Sequence, residues 1–121
     1  MAVKSYHDLL VWQKAMDLSE EVYRQIKKLP KDELFEIVSQ MRRAVVSVPS
    51  NIAEGQARGT AKEFINFLNI ARGSNAEIQT QLLLCTRFGY LSEEDIHMSI
   101  ALSNEVGKLL NFLIASLREK K

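Results

Sequence analysis

At 121 residues the chain fits one domain, residues 1–121, with length enough for one ordinary core. An apolar fraction of 46%, with charged residues mixed among the apolar ones, argues against a disordered chain. The formal charge of +1, from 16 basic and 15 acidic residues, excludes a strong global field that would draw in nucleic acid or an acidic membrane.

One cysteine, Cys85, excludes a disulfide within the chain and fits a reducing compartment. Set in "LLLCTRF", it reads as a small packed hydrophobe. The opening "MAVKSYHDLLVW" has neither the apolar core nor the cleavage site of a signal peptide. No apolar run approaches the roughly 20 residues that span a bilayer. The expectation is a cytoplasmic protein without a membrane contact.

Strand signals are nearly absent, and the helical period recurs four times. The first predicted helix runs from about Asp8 to Leu29, with Trp12, Met16, Ser19, Tyr23 and Ile26 as its inward row. "LPKD" ends it, because Pro30 disfavours helix at Leu29 and Asp32 can cap the next helix. The second runs from about Glu33 to the Gly55–Gly59 region, with Leu34, Val38, Met41, Val45, Val48 and Ile52 inward. Thr60 and Glu63 in "TAKE" form a capping box that opens the third, whose row is Phe64, Phe67, Leu68, Ala71, Ile78, Leu82 and Cys85. In "FGYLSEED", Gly89 reads as a C-terminal cap and Ser92 as the next N-cap, with Glu93, Glu94 and Asp95 favourable beside the positive helix end. The fourth helix carries Ile96, Ile100, Val106, Leu110, Ile114 and Leu117 inward. Segments of roughly 22 to 30 residues, or ~33–45 Å at 1.5 Å per residue, predict an all-α, antiparallel up-and-down four-helix bundle with long helices.

"RRAVVSVPSNIAEGQARG" breaks the ordinary pattern. Pro49 falls inside a helix, where it costs about 3 kcal/mol and frees the Val45 carbonyl, so a bend of the second helix is expected there. Arg43, Ser47, Asn51, Glu54 and Arg58 recur at steps of three and four, which places them in a second, polar row away from the core. An ordinary solvated face would favour Glu, Lys, Gln or Ala over Ser and Asn. In "ARGSNAE", Gly73 and Ser74 sit mid-helix and allow a bend or another backbone to come close. Ile70, Leu84 and Phe88 lie off the inward row, which points to a second contact surface and to self-association.

These stretches carry a resemblance. "QMRRAVVSVPSNIAEGQAR" followed by "EFINFLNIARGSNAEI", together with "YHDLLVWQKAMDLSEEVY" and "FGYLSEED", is similar to the four-helix bundle proteins encoded in intervening sequences of bacterial 23S ribosomal RNA genes. The likeness covers nearly the whole chain. The resemblance implies an up-and-down bundle that assembles as a ring-like pentamer. A related accessory protein of diversity-generating retroelements binds nucleic acid and a reverse transcriptase. The matching motif positions here are Arg42, Arg43, Ser47, Pro49, Asn51, Glu54, Gly55, Arg58, Gly73, Ser74 and Glu77. Asn75 stands where the family pattern commonly has an apolar residue. It falls on the inward row, so it needs a buried partner or costs about 1–3 kcal/mol.

Two functions are expected on these grounds. In the first, an oligomer associates with RNA or DNA: Arg42, Arg43, Arg58, Lys62 and Arg72 supply phosphate contacts, Ser47 and Asn51 are polar partners, and repetition in a ring multiplies weak contacts. No groove-reading motif supports it, and no aromatics interleave the polar row. In the second, the row serves ring assembly without nucleic acid, with Arg43 or Arg58 pairing Glu54 or Glu77 across or within chains and with Pro49 shaping the interface. An enzyme is not expected. His7 and His97 belong to no motif, and no Glu-x-x-His pair, phosphate loop, metal-spaced cluster or nucleophile elbow occurs. No catalytic residue, metal, cofactor or small-molecule substrate is therefore assigned.

Overall fold

The computed structural model describes residues 5–119. Its four long helices are α1 (Leu10–Ile26), α2 (Ser39–Ala57), α3 (Ala61–Arg87) and α4 (Glu93–Glu119). There is no strand among the described residues. Contacts across the seams fix the directions. Lys28 meets Asp95 at 3.0 Å and Lys14 meets Glu105 at 3.6 Å, so numbers rise along α1 as they fall along α4. Met41 meets Cys85 at 3.8 Å and Ser47 meets Ser74 at 2.8 Å, which sets α2 against α3 in the same way. Each helix packs on its two neighbours around the bundle, the antiparallel up-and-down arrangement that the periodicity predicts.

The core grows out of the rows. Met41, Val45, Val48 and Ile52 of α2 are buried with Leu68, Ala71, Ile78 and Leu82 of α3 and Val106, Leu110 and Ile114 of α4. The caps form as the sequence implies. The Glu63 amide donates to Thr60 Oγ1 at 3.2 Å, and Ser92 and Asp95 exchange amide-to-side-chain bonds at 2.9 Å. Gly89 takes a φ of 81°, which favours glycine, and ends α3. The bond from the Ser92 amide holds the Asp95 carboxyl below its ordinary range, helped by Lys28.

Asn75 is buried and satisfied. Its Nδ2 donates to the Ser103 carbonyl at 3.0 Å, and Ser103 Oγ donates back to its Oδ1 at 2.9 Å. The partner that the sequence demanded thus comes from α4, and the helical phase holds through residue 75.

Two expectations are corrected. In α1 the inward row is Val11, Ala15, Leu18, Val22 and Ile26, one residue before the predicted one up to Val22 and meeting it at Ile26. Of the predicted row only Ile26 is buried: Met16 and Tyr23 are exposed, and Trp12 and Ser19 are half-buried. The two rows lie one residue apart, about 100° around the helix. The slimmer aliphatic row takes the centre, and the amphipathic rings, whose polar ends seek water, take the rim. The second correction concerns the start of helix two. Residues Lys31–Glu33 form a 3₁₀ turn, and Leu34–Val38 form a π-type turn interrupted at Glu36 (φ −110°, ψ −109°). The wider turn rotates the residues before it, so Leu34 leaves the predicted core row and is 40% exposed. The helices are also shorter than expected at this end: α1 has 17 residues and α2 has 19.

Pro49 lies inside α2, which runs through it without a break. The Val45 carbonyl that it frees finds a substitute donor on another helix. Ser19 Oγ stands 3.3 Å from that oxygen and 2.9 Å from its own Ala15 carbonyl, so a single hydroxyl proton is shared between them. One buried acceptor is thereby relieved at the α1–α2 seam.

By length and composition α4 is also apolar enough to cross a bilayer, with a mean hydropathy of 1.2 over its best window. No apolar run of that length was expected from the sequence. In this fold its inward row packs on the other helices, while Met98 and Phe112 stay uncovered.

A methyl group at Gly55 would stand 2.7 Å from Phe67 Cβ and 3.1 Å from the Phe64 ring. Gly55→Ala is therefore expected to lower stability by about 1–3 kcal/mol by overpacking, against the ~1 kcal/mol that alanine otherwise gains in a helix, as measured by urea unfolding. The Ser19 substitution offers a second test. Ser19→Ala should cost about 0.5–1.5 kcal/mol, and less in a Pro49→Ala background, where residue 49 supplies its own N–H; a double-mutant cycle reads the difference.

Candidate interaction surface along the polar motif

The predicted polar row does not form one solvated stripe. Its middle turns into the α2–α3 seam, where Asn51 Nδ2 donates to the Ser47 carbonyl and to Ser47 Oγ, both at 2.8 Å, and Ser47 Oγ meets Ser74 Oγ at 2.8 Å. Ser47, Asn51 and Ser74 are all half-buried. They bond one another across two helices, which explains why Ser and Asn occupy positions where an exposed helix face favours longer polar residues. Ser47 and Asn51 are thus not opposite the core, as the wheel implied. Val45 and Ile52 remain fully buried beside them.

The end of the row reaches the α2–α3 turn. Arg58 donates to Glu54 at 2.8 Å and to Glu63 at 3.5 Å, and its guanidinium lies over the Phe67 ring at 4.9 Å. The hydrogen bond to Glu54 holds its proton more firmly than usual. Flanked by these carboxylates, Arg58 is neutralised locally and is a poor phosphate ligand. Its pairing with Glu54 is the one the assembly reading named, made here within the chain.

The remaining positions disperse. Arg42 turns away from α3 and lies over the Tyr23 ring of α1 at 5.9 Å. Arg72 bonds Asn69 at 2.8 Å and Asn111 of α4 at 3.0 Å. Glu77 accepts from Gln81 at 3.5 Å. Arg43 and Lys62 are exposed, with no side-chain bond among the described residues. Gly55 clasps α3, whereas a methyl at Gly73 would meet nothing within 4 Å. Within one chain, then, Gly73 has no packing reason, and its side of α3 is open. Residues that the sequence reading missed are Glu63 and Phe67, which bracket Arg58, and Ser19, which serves Pro49. Glu63 was assigned only a capping role, and Phe67 only a core one.

No group of three or more His, Cys, Asp or Glu residues is placed to hold a metal ion among the described residues. Cys85 is buried against Met41, and burial pushes its thiol up to about 11, far from a reactive thiolate. The raised value means that stability should be intact below about pH 9 and fall as pH rises toward the folded value, since the unfolded thiol ionises first. At pH 8, a disulfide exchange reagent should label Cys85 only after denaturation, followed by absorbance.

The surface thus combines a polar seam closed on itself, scattered cations and an open, glycine-bearing side of α3. A solved crystal structure with this fold is that of a protein with unknown function from the S23 ribosomal protein family of Bacteroides thetaiotaomicron. It is 28% identical, with a TM-score of 0.80, over 87% of this chain and 98% of that one. No curated protein matches the chain. The 23S rRNA-intervening sequence protein family matches residues 7–112, a span that takes in all of the motif positions. The chain belongs to that family.

Proposed function

We propose that this protein is a non-catalytic bundle that assembles with copies of itself through the outer side of α2 and α3. The observation that carries this reading is the apolar surface left on α3. Ile70, Leu84 and Phe88 are exposed at 51%, 37% and 55%, on the side where Gly73 leaves room for another backbone. A helix in water seldom leaves that much hydrocarbon uncovered without a partner. The Ser47–Asn51–Ser74 seam beneath is satisfied internally, so it is preformed and lays no desolvation cost on assembly. Five copies in a ring is what the family resemblance implies.

A second reading, association of the assembled form with RNA or DNA, is favoured by a different observation. Of the cations named in the motif and beside it, Arg42, Arg43, Lys62 and Arg72 have no carboxylate within 4.0 Å among the described residues; Arg58 alone is so paired. Repeated around an oligomer, such unpaired charges give useful affinity from weak single contacts.

Light scattering of the purified protein tests the first reading. The wild type should run as an oligomer, and Ile70→Glu with Leu84→Glu should run as a folded monomer with unchanged helical circular dichroism. A monomeric wild type at about 100 μM would end the assembly proposal, because a specific interface holds at the micromolar range or tighter.

A further inference from the structure

The α1–α2 seam lies on a different side from the assembly surface, and it is open. Two hollows lie between the helices, and a third, lined by α1 alone, lies between them on the outer face of that helix. The first, of about 360 Å³, lies among Tyr6, Trp12, Met16 and Pro49. The next, of about 450 Å³, is lined by Ser19, Glu20, Tyr23, Arg24 and Lys27. The last, of about 360 Å³, is lined by Lys27, Lys31, Leu34 and Arg42. Ser19 is common to the first two and Lys27 to the last two, so the three adjoin as a shallow, open groove that follows α1.

Two properties of the groove converge. It displays π-faces at intervals. Tyr23 is 38% exposed, and the half-buried Trp12 belongs to a cluster with Tyr6 at 5.2 Å and His7 at 5.1 Å. Tyr23 and Trp12 are the rings that the helical wheel had assigned to the core. It is also lined by cations that nothing neutralises. Lys27, Lys31 and Arg42 have no carboxylate within 4.0 Å among the described residues, whereas Arg24 is shared with Glu21 at 3.5 Å. Glu20 is the one carboxylate among the residues lining the three hollows. Arg42 over Tyr23 joins the two properties in a single pair, a cation edge beside an aromatic face.

We infer that this groove binds single-stranded nucleic acid, with phosphates on Lys27, Lys31 and Arg42 and unpaired bases stacked on Tyr23 and on the rim of the Trp12 cluster. The inference rests on the nucleic-acid reading above and moves its contact from the motif row to the opposite edge of α2. Aromatic platforms alternating with a positive track are what sequence-tolerant single-strand binding requires. A duplex keeps its bases stacked inside and would use only the charges, leaving the rings without a role. The apolar residues of the last hollow, Ile26, Leu29 and Val38, are buried in the core, so beside Leu34 an amphipathic partner helix would find little exposed hydrocarbon there and would face three cations.

The test is fluorescence anisotropy with the full-length protein and fluorescein-labelled oligouridylate and oligothymidylate of about 20 nucleotides, longer than the ~4–16 nucleotides a single stacking site covers. A duplex of equal length is measured beside them. Single strands should bind more tightly than duplex at ~50 mM salt and be released by ~200 mM. They should also quench Trp12, the single tryptophan of the chain. Tyr23→Ala should weaken binding about tenfold, and Tyr23→Phe, which keeps the ring, should restore it. Lys27→Glu with Arg42→Glu should flatten the salt dependence by about two phosphate contacts. Lys108→Glu with Arg118→Glu, exposed on α4, should leave binding within about twofold, the range of an exposed change far from the site. If the wild type binds neither strand form at low salt, the nucleic-acid reading itself fails. If it binds but duplex competes equally, or if the Tyr23 and Lys27–Arg42 variants bind as the wild type does, the groove is not the site and only the broader reading survives.

Discussion

The structure depends on how closely α2 approaches α3. At Gly55 the approach leaves no room for a methyl group against Phe67 and Phe64. Further along the same seam it brings two serine hydroxyls within hydrogen-bonding distance. Small side chains along a helix pair let the backbones draw together, and the apolar rows on either side then close over Met41, Val45, Leu82 and Cys85. A bulkier seam would push these rows apart and open the centre of the bundle. The motif block is thus first a packing device: its glycine and serines set a helix spacing, and the charged members occupy the margins that this spacing leaves.

The same spacing separates two surfaces. On the α3 side of α2, polar groups bond one another and the exposed apolar residues stand alone, so this side offers hydrocarbon. On the α1 side, rings and unpaired cations line an open groove. Arg42 and Arg43 are neighbours in sequence, yet only Arg42 lines that groove and lies over the Tyr23 ring. The apolar surface and the cation-lined groove thus lie toward opposite edges of α2 and do not compete for area.

Much of this fold is legible in the sequence. The rows of α2 from Val38, of α3 from Leu68 and of α4, the caps at Thr60 and Ser92 and the stop at Gly89 all come from spacing and capping chemistry, because each depends on residues within one or two turns. Asn75 even announces a buried partner, though not which residue supplies it, since Ser103 looks like any small residue on an apolar helix. The failures have one cause. Rows one residue apart on α1 are both largely apolar, Ser19 aside, and which one faces inward is decided by the shape of three other helices. The π-type turn before Ser39 has no local signature of its own, and it throws Leu34 out of phase. The role of Ser19 is equally non-local: the side chain that relieves Pro49 lies 26 residues from Val45 along the chain. Of the candidate surface, the sequence yields the members of the motif. Their division between a self-bonded cluster, a paired arginine and scattered cations depends on side-chain partners that spacing cannot name.

Ser74 and Asn75 are consecutive, yet one bonds across to α2 and the other to α4. Aliphatic cores tolerate slippage: sliding a helix by one turn, about 5.4 Å, exchanges one leucine contact for another. Here such a slip would strand an amide among methyl groups, at about 1–3 kcal/mol. One peptide unit in the middle of α3 therefore keys the longitudinal alignment of three helices at once, and every surface built across their seams inherits that alignment.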